Sequence, residues 1–242
     1  VTTPDARLAE LEAGLADVRG RIASACAEAG RDPADVTLIA VTKTWPASDV
    51  AALASLGVSD VAENKDQEAR AKHAELTDLD VRWHFVGQLQ RNKAKSVVRY
   101  ADVVHSVDRP ELASALASAS AKYREGTLDV LLQVDLEEGA SEGRGGVAPS
   151  GVAALADEVS AHEALRLSGL MAVAPLGGNP DRAFARLAEF SADLVATHPG
   201  ATWISAGMSG DLESAVRHGA THVRVGSALL GKRVSRHGSV RP

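Results

Sequence analysis

Apolar positions along the chain follow two rhythms. Between Thr3 and Gly30, Leu8, Leu11, Leu15, Val18 and Ile22 recur at the three-to-four-residue spacing of one helix face, and Thr3-Pro4 reads as an N-cap followed by a first helical residue. From Val36 onward, short β-branched runs alternate with longer amphipathic stretches, which is the signature of repeated βα units rather than of a meander. Eight runs are predicted strands: Val36 to Thr42, Asp60 to Ala62, Val81 to Val86, Asp102 to Ser106, Asp129 to Val134, Leu167 to Ala172, Thr202 to Ser205, and His222 to Val225. Helical segments fill the gaps.

Eight parallel strands joined by helices either close into a barrel or lie open as a doubly wound sheet, and periodicity does not separate the two. Strand count favours closure, as does the length of 242 residues, near the roughly 250 typical of such barrels. The predicted fold is α/β, a (β/α)8 TIM barrel with an extra N-terminal helix, residues 1–242 forming one domain. With 45% hydrophobic but only 3% aromatic residues, the core must be built from Ala, Val and Leu, which suit parallel strands covered by helices.

The net charge of −6 argues against a general grip on nucleic acid, which needs a basic face. Cys26 is the sole cysteine, so no intrachain disulfide and no cysteine-based zinc cluster can form, and a reducing compartment fits. Apolar runs are broken by charge well short of about 18 residues, and no basic segment precedes an apolar core at the N-terminus. The expectation is a cytoplasmic monomer with neither membrane nor nucleic-acid partner.

In a closed barrel the reactive groups gather at the C-terminal ends of the strands. Following the eight runs come Lys43, Glu63-Asn64, Gly87-Gln88 just past His84, Asp108, Asp135, Ala174-Pro175, Gly207-Met208-Ser209 and Gly226-Ser227. Lys43 follows Leu38-Ile39-Ala40-Val41 after a single Thr. An amine at that position, partly desolvated in the barrel mouth, can condense with a carbonyl. The alternative is a solvated strand-end lysine.

In the eighth unit, His222-Val223-Arg224-Val225-Gly226-Ser227-Ala228-Leu229-Leu230-Gly231, a strand breaks at glycine into a helical turn. Glycine lets the backbone approach an anion, the free N–H groups point at it, and the Ser227 hydroxyl adds a donor. The preceding unit, Ser205-Ala206-Gly207-Met208-Ser209-Gly210-Asp211, offers the Ser205 and Ser209 hydroxyls. Each segment alone also fits an ordinary βα turn. Arg224 either reaches a ring held by that phosphate or forms a salt bridge within the barrel. Alternation can turn His84 inward, for a structural or a catalytic role, and Asn64 is a polar strand end or a helix N-terminus. No His-x3-His pair backed by carboxylates, no GxSxG and no Walker loop is present, which weakens metal and serine-hydrolase readings. The stretch Gly139 to Gly151 reads as a mobile loop, and Arg233 to Pro242 as a frayed or surface-attached tail.

Taken together, several segments resemble the YggS/PROSC family of pyridoxal phosphate-binding proteins, also called the pyridoxal phosphate homeostasis family. They are Ala40-Val41-Thr42-Lys43-Thr44, Glu63-Asn64 with Gln67-Glu68, His84-Phe85-Val86-Gly87-Gln88-Leu89-Gln90 with Asn92-Lys93, Gly169-Leu170-Met171-Ala172, Gly207-Met208-Ser209 with Asp211, and Val223-Arg224-Val225-Gly226. Their order and spacing span nearly the whole chain. The resemblance implies the barrel shared with the N-terminal domain of alanine racemase and pyridoxal 5'-phosphate held on Lys43 as an internal aldimine. It implies phosphate held by Ser209, Gly226 and Ser227, Arg224 facing the pyridine nitrogen, and Asn64, His84, Met171 and Ser205 around the cofactor. The chain departs from the family pattern with Ser227 for a common threonine, Leu230 for a phenylalanine and Lys65 for a tyrosine. Gly210 replaces an acidic residue, leaving Asp211 to cap, and Arg144 with Gly145-Gly146 stands where lysine and glycine are common.

Two classes of function follow from the resemblance: a protein of intracellular cofactor homeostasis that stores the cofactor or delivers it to apo-enzymes, and an amino-acid racemase. A racemase of this fold needs two bases on opposite faces of the substrate carbon, a lysine and a tyrosine, and a second domain closing the site. Here Tyr100 and Tyr123 are the only tyrosines, expected at a helix end and in a helix-to-strand linker. A permanently protonated Arg224 would leave the pyridine nitrogen unprotonated and the ring a weak electron sink. The carrier reading is therefore preferred, with a racemase as the alternative and a Schiff-base aldolase acting through Lys43 as a third.

Overall fold

Strand alternation and helix amphipathicity close the chain on itself. The computed structural model describes residues 3–137 and 145–231. Among these, eight parallel strands form a closed barrel in chain order: β1 Thr37–Val41, β2 Asp60–Glu63, β3 Arg82–Phe85, β4 Val103–Val107, β5 Leu128–Gln133, β6 Leu165–Met171, β7 Trp203–Ser205 and β8 His222–Val225. The outer layer is α2 Ala47–Ser55, α3 Asp66–Glu75, α4 Ala94–Val97, α5 Pro110–Tyr123, α6 Val152–Ser160, α7 Pro180–Thr197, α8 Leu212–Arg217 and α9 Ser227–Leu230, preceded by α1 Pro4–Glu28. Each predicted run coincides with a strand. Boundaries move by one or two residues, most at β6, which starts at Leu165, because ladder pairing with Leu128 carries the strand past its apolar run.

Closure is made by β1, which pairs with β2 through Ile39↔Asp60 and with β8 through Ile39↔Arg224. The first and last strands are thus neighbours, and the turns that follow them lie side by side. The core between strands and helices is aliphatic, with Val61, Val104, Leu112, Leu116, Leu132, Leu155 and Leu187 all buried. Each fully buried side chain of this size contributes about 1.5–3 kcal/mol.

The N-terminal helix is a structural brace. The Thr3 hydroxyl caps α1 by accepting from Ala6 N–H at 3.3 Å, and Pro4 sits in its first turn. Its buried stripe is Leu11, Leu15, Val18, Ile22, Ala25 and Cys26. Gly14 lets the helix approach α9 so closely that a Cβ there would lie 2.5 Å from the Leu229 carbonyl oxygen. Arg7 donates to Asp49 at 2.7 Å and to the Leu230 carbonyl at 3.1 Å, with its guanidinium 4.6 Å from the Trp45 ring centroid. Arg21 donates to Glu213 at 2.6 Å and to the Ser209 carbonyl at 2.9 Å. One helix therefore holds the turns after β7 and β8 from behind.

Inside the barrel, side chains of one strand parity point to the axis. Val103, Leu131 and Met171 form a small apolar cluster there, packed against Trp203. Polar side chains also lie inside, among them Asp60, His84, His105 and Arg224, all buried. At the N-terminal end of the barrel, Asp129 accepts from Arg82, Arg166 and Ser168, and Arg82 lies 4.9 Å from the Trp203 ring centroid.

Candidate functional site

A cavity of about 660 Å³ opens at the C-terminal end of the barrel. Seven of the nine predicted site residues line it: Lys43, Asn64, Met171, Ser209, Arg224, Gly226 and Ser227. Val41, Trp45, Val86, Gly87, Val173 and Met208 complete most of the wall. Lys43 shares the parity of Val41 two residues earlier, so strand period 2 carries the amine past the last inward position of β1 and into the mouth. Asn64 follows β2, and its carbonyl meets the turn after β3. A Cβ on Gly87 would lie 2.1 Å from that oxygen, so only glycine allows the two turns to touch.

Two turns bearing hydroxyls face Lys43 across the β1–β8 seam. After β7, Gly207 takes φ +87 with a would-be Cβ 2.6 Å from Ala215 Cβ, so both its conformation and its space demand glycine. The chain then presents Ser209, whose Oγ accepts from Ala228 N–H at 3.1 Å and ties this turn to the one after β8. Asp211 stands at the N-cap of α8 but does not cap it. Its carboxylate instead accepts from Met208 N–H at 2.6 Å and closes the preceding turn.

Arg224 is buried at the floor of the cavity. It donates to Ser205 Oγ at 2.7 Å and to the Ala172 carbonyl at 2.9 Å, so no salt bridge is needed to hold it. Burial lowers its pKa to about 10, which leaves it a cation at neutral pH. It also lines the cavity, with N–H donors beyond those two bonds.

His84 and Ser205 do not line the cavity. They lie beneath it, in a chain of buried hydrogen bonds that ends on Arg224. Asp60 Oδ1 is 2.9 Å from His84 Nε2, His84 Nδ1 is 2.8 Å from His105 Nε2, and His105 Nδ1 is 3.0 Å from Ser205 Oγ. One set of tautomers satisfies every link. Because Arg224 can only donate, Ser205 accepts from it and donates its own proton to His105 Nδ1. His105 then donates from Nε2 to His84, and His84 from Nε2 to Asp60. Both rings are neutral: burial lowers the pKa of each, carrying His105 well below its ordinary value. Burial would raise the Asp60 carboxyl, but hydrogen bonds from His84 and Ser59 outweigh it and hold Asp60 below its usual range.

His105 and Asp60 were absent from the predicted site. His105 has the inward parity of Val103, so alternation along β4 carried the signal. Asp60 reads in sequence as a polar strand start. Tyr100 and Tyr123 both lie away from the cavity. The Tyr100 hydroxyl, its pKa raised by burial and by Asp66, donates to Asp66 at 3.4 Å. Tyr123 ends α5 rather than lying in a linker, with Lys95, Arg99 and Lys122 around its ring. Arg144 and residues 139–143 of the predicted loop lie outside the described residues, as does the tail from Arg233.

The fold and this cavity define a class: a (β/α)8 barrel whose mouth joins a lysine amine to two linked hydroxyl-bearing turns. The sequence profile described as "Alanine racemase, N-terminal domain" matches residues 16–234. A pyridoxal phosphate homeostasis protein of Mycobacterium tuberculosis is 45% identical over 248 aligned residues, covering 95% of each chain. One from Pseudomonas aeruginosa is 44% identical, covering 90% of this chain and 94% of its own. The structure of PipY from Synechococcus elongatus with PLP bound superposes with a TM-score of 0.79 at 36% identity, covering 91% of this chain and all of that one. Alanine racemase from Corynebacterium glutamicum shares the fold alone, at 16% identity and TM-score 0.65, with 60% of its chain covered. The chain belongs to the alanine racemase N-terminal domain family and, within it, to the pyridoxal phosphate homeostasis proteins.

Proposed function

We propose that this protein binds pyridoxal 5'-phosphate covalently on Lys43 and serves intracellular homeostasis of that cofactor, storing it or delivering it to apo-enzymes, without strong catalysis of its own. The observation that carries this reading is the convergence of an amine, two linked hydroxyl turns and a buried guanidinium on one cavity. The donor set fits the group. When bound, pyridoxal phosphate supplies an aldehyde that condenses with an amine with loss of water, and Lys43 is the amine in the cavity. Ser209, Ser227 and the backbone at Gly226 offer donors to a phosphate. Asn64 and Met171 bound the space between the amine and these turns.

Arg224 separates holding from catalysis. A cation fixed at the cavity floor can donate to a ring nitrogen but cannot accept a proton from it, which weakens carbanion stabilisation. No tyrosine lines the cavity to act as a second base. Both points favour a carrier over a racemase. The unpaired Cys26 suits a reducing, cytoplasmic setting, and no helix among the described residues is long and apolar enough to cross a membrane.

The test is the absorbance spectrum of the purified protein. Loading with pyridoxal phosphate should give the visible band of cofactor carried on a lysine, trapped irreversibly by borohydride, and Lys43→Ala should lose both. A band that survives Lys43→Ala overturns the assignment. Incubation of loaded protein with amino acids in deuterated water should give negligible exchange at the α-carbon, whereas an apo-enzyme added to it should gain activity.

A further inference from the structure

Two glutamates of the sequence pattern, Glu63 and Glu68, have no part in the cavity wall. They meet behind it on Lys72, a lysine of α3 that is only 6% exposed. The Lys72 ammonium donates to Glu63 Oε1 at 2.6 Å, to Glu68 Oε1 at 2.8 Å and to the Thr42 carbonyl at 2.8 Å, which uses all three of its protons. Thr42 Oγ1 donates to the same Glu63 oxygen at 2.7 Å, and Thr44 N–H donates to Glu68. Thr42 and Thr44 are the residues on either side of Lys43. Both neighbours are tied to one ionic cluster, buried at Lys72 and Glu63 and partly exposed at Glu68, while Lys43 lines the cavity.

The backbone at Thr44 shows why a tie is needed. Its φ is +69, the only positive value at a non-glycine among the described residues, and threonine is β-branched. Such a residue costs on the order of 1–3 kcal/mol and persists only where its surroundings over-determine it. Here the determinant is the Glu68 carboxylate on Thr44 N–H. Glu68 is in turn fixed by Lys72, which is anchored to Glu63 under β2. Burial raises the Glu63 carboxyl against the opposing pull of Lys72 and Thr42, and Glu63 Oε2 has no hydrogen-bond partner. A buried ion cluster with an unpartnered oxygen is weak evidence for a stabilising role.

We propose that Lys72, Glu63 and Glu68 form a positioning clamp that holds the Thr42–Thr44 turn so that the Lys43 amine is presented to the cavity. The proposal rests on Lys43 being the attachment point. The clamp makes no contact with a ligand, and its effect is confined to capture by the amine.

The test compares two ligands that share phosphate and ring. Pyridoxal 5'-phosphate can be captured by Lys43, whereas pyridoxine 5'-phosphate, an alcohol, binds only non-covalently. In Glu68→Ala the rate of covalent capture, followed by stopped-flow absorbance, should fall about tenfold or more, because a misplaced nucleophile forfeits its effective molarity. Affinity for pyridoxine 5'-phosphate should stay within about twofold, and Glu68→Gln, which keeps the acceptor for Thr44 N–H, should recover most of the rate. Lys72→Met combined with Glu63→Leu avoids a bare buried charge and should reproduce the Glu68→Ala pattern. Unchanged capture in Glu68→Ala, a parallel loss for both ligands, or no recovery in Glu68→Gln overturns the clamp. Failure of the underlying reading looks different: Lys43→Ala would then keep the absorbance band that every clamp comparison relies on.

Discussion

Ser205 Oγ sits between two partners of opposite demand, accepting from the Arg224 guanidinium at 2.7 Å and lying 3.0 Å from His105 Nδ1. It converts a donor-only group at the cavity floor into a proton donor for a neutral imidazole below. Ser205→Ala therefore leaves one N–H of Arg224 and the Nδ1 of His105 without a partner. A loss of about 2–4 kcal/mol is expected from two buried polar groups left unpaired, read as a lower urea midpoint. Ser205→Thr, which keeps the hydroxyl, should lose less.

Acid should weaken the fold through its buried histidines. His84, His105 and His222 are all buried with lowered pKa values, His222 to about 3, chiefly through burial. Their unfolded forms take up protons near pH 6.5 while the native forms do not. Stability is thus fully present above about pH 7 and falls as the pH drops through 6.5, by up to about 1.4 kcal/mol per pH unit for each histidine. Thermal unfolding between pH 8 and 5 measures the slope, and His105→Asn should flatten it. A stability that rises on acidification in this range contradicts the neutral-histidine chain.

The anion cup should discriminate by phosphate. Ser209→Ala and Ser227→Ala each remove a hydroxyl from the cavity wall, and each should weaken pyridoxal 5'-phosphate about tenfold while leaving non-phosphorylated pyridoxal nearly unchanged. Equilibrium titration with both ligands gives the ratio. A drop shared equally by the two would place the phosphate elsewhere.

Two glycines of α1 set helix propensity against space. Alanine in a helix interior gains about 1 kcal/mol over glycine. At Gly20 nothing lies within 4 Å of the added methyl, so Gly20→Ala should raise stability by that amount. At Gly14 the methyl would meet the Leu229 carbonyl oxygen at 2.5 Å, an obstacle of backbone that cannot rotate away. Gly14→Ala should be net destabilising, since overpacking costs about 1–3 kcal/mol, and should also weaken phosphate ligands by shifting α9. Denaturant midpoints of the two variants, measured together, give opposite signs.

The eight strands were legible because parallel strands covered on both sides write near-continuous apolar runs, and the strand ends pointed to Lys43, Asn64, Ser209 and Ser227, with Arg224 inside the last strand just before its turn. What escaped was contact between residues far apart in the chain. His105 reaches Ser205 across a separation of 100 residues. Lys72 follows Glu68 by one helical turn and reads as a surface ion pair. It is buried because α3 lays that face against β2 and the turn after β1, and helix periodicity alone does not reveal which turn a lysine will lie under. Asp211 has the composition of a helix cap, yet the tight turn from Gly207 brings Met208 N–H within its reach first.

The seam between β1 and β8 sets when this site can come into being. The Lys43 amine arrives with the first strand to be synthesised and the hydroxyl turns with the last two, so a growing chain on the ribosome owns the one long before the others. On the proposed reading, loading would therefore be a property of the finished barrel. On the same reading, a ligand joined to Lys43 and held beyond β8 would staple the two ends of the barrel together across its closing edge, so that occupancy would report on closure and raise stability with ligand concentration.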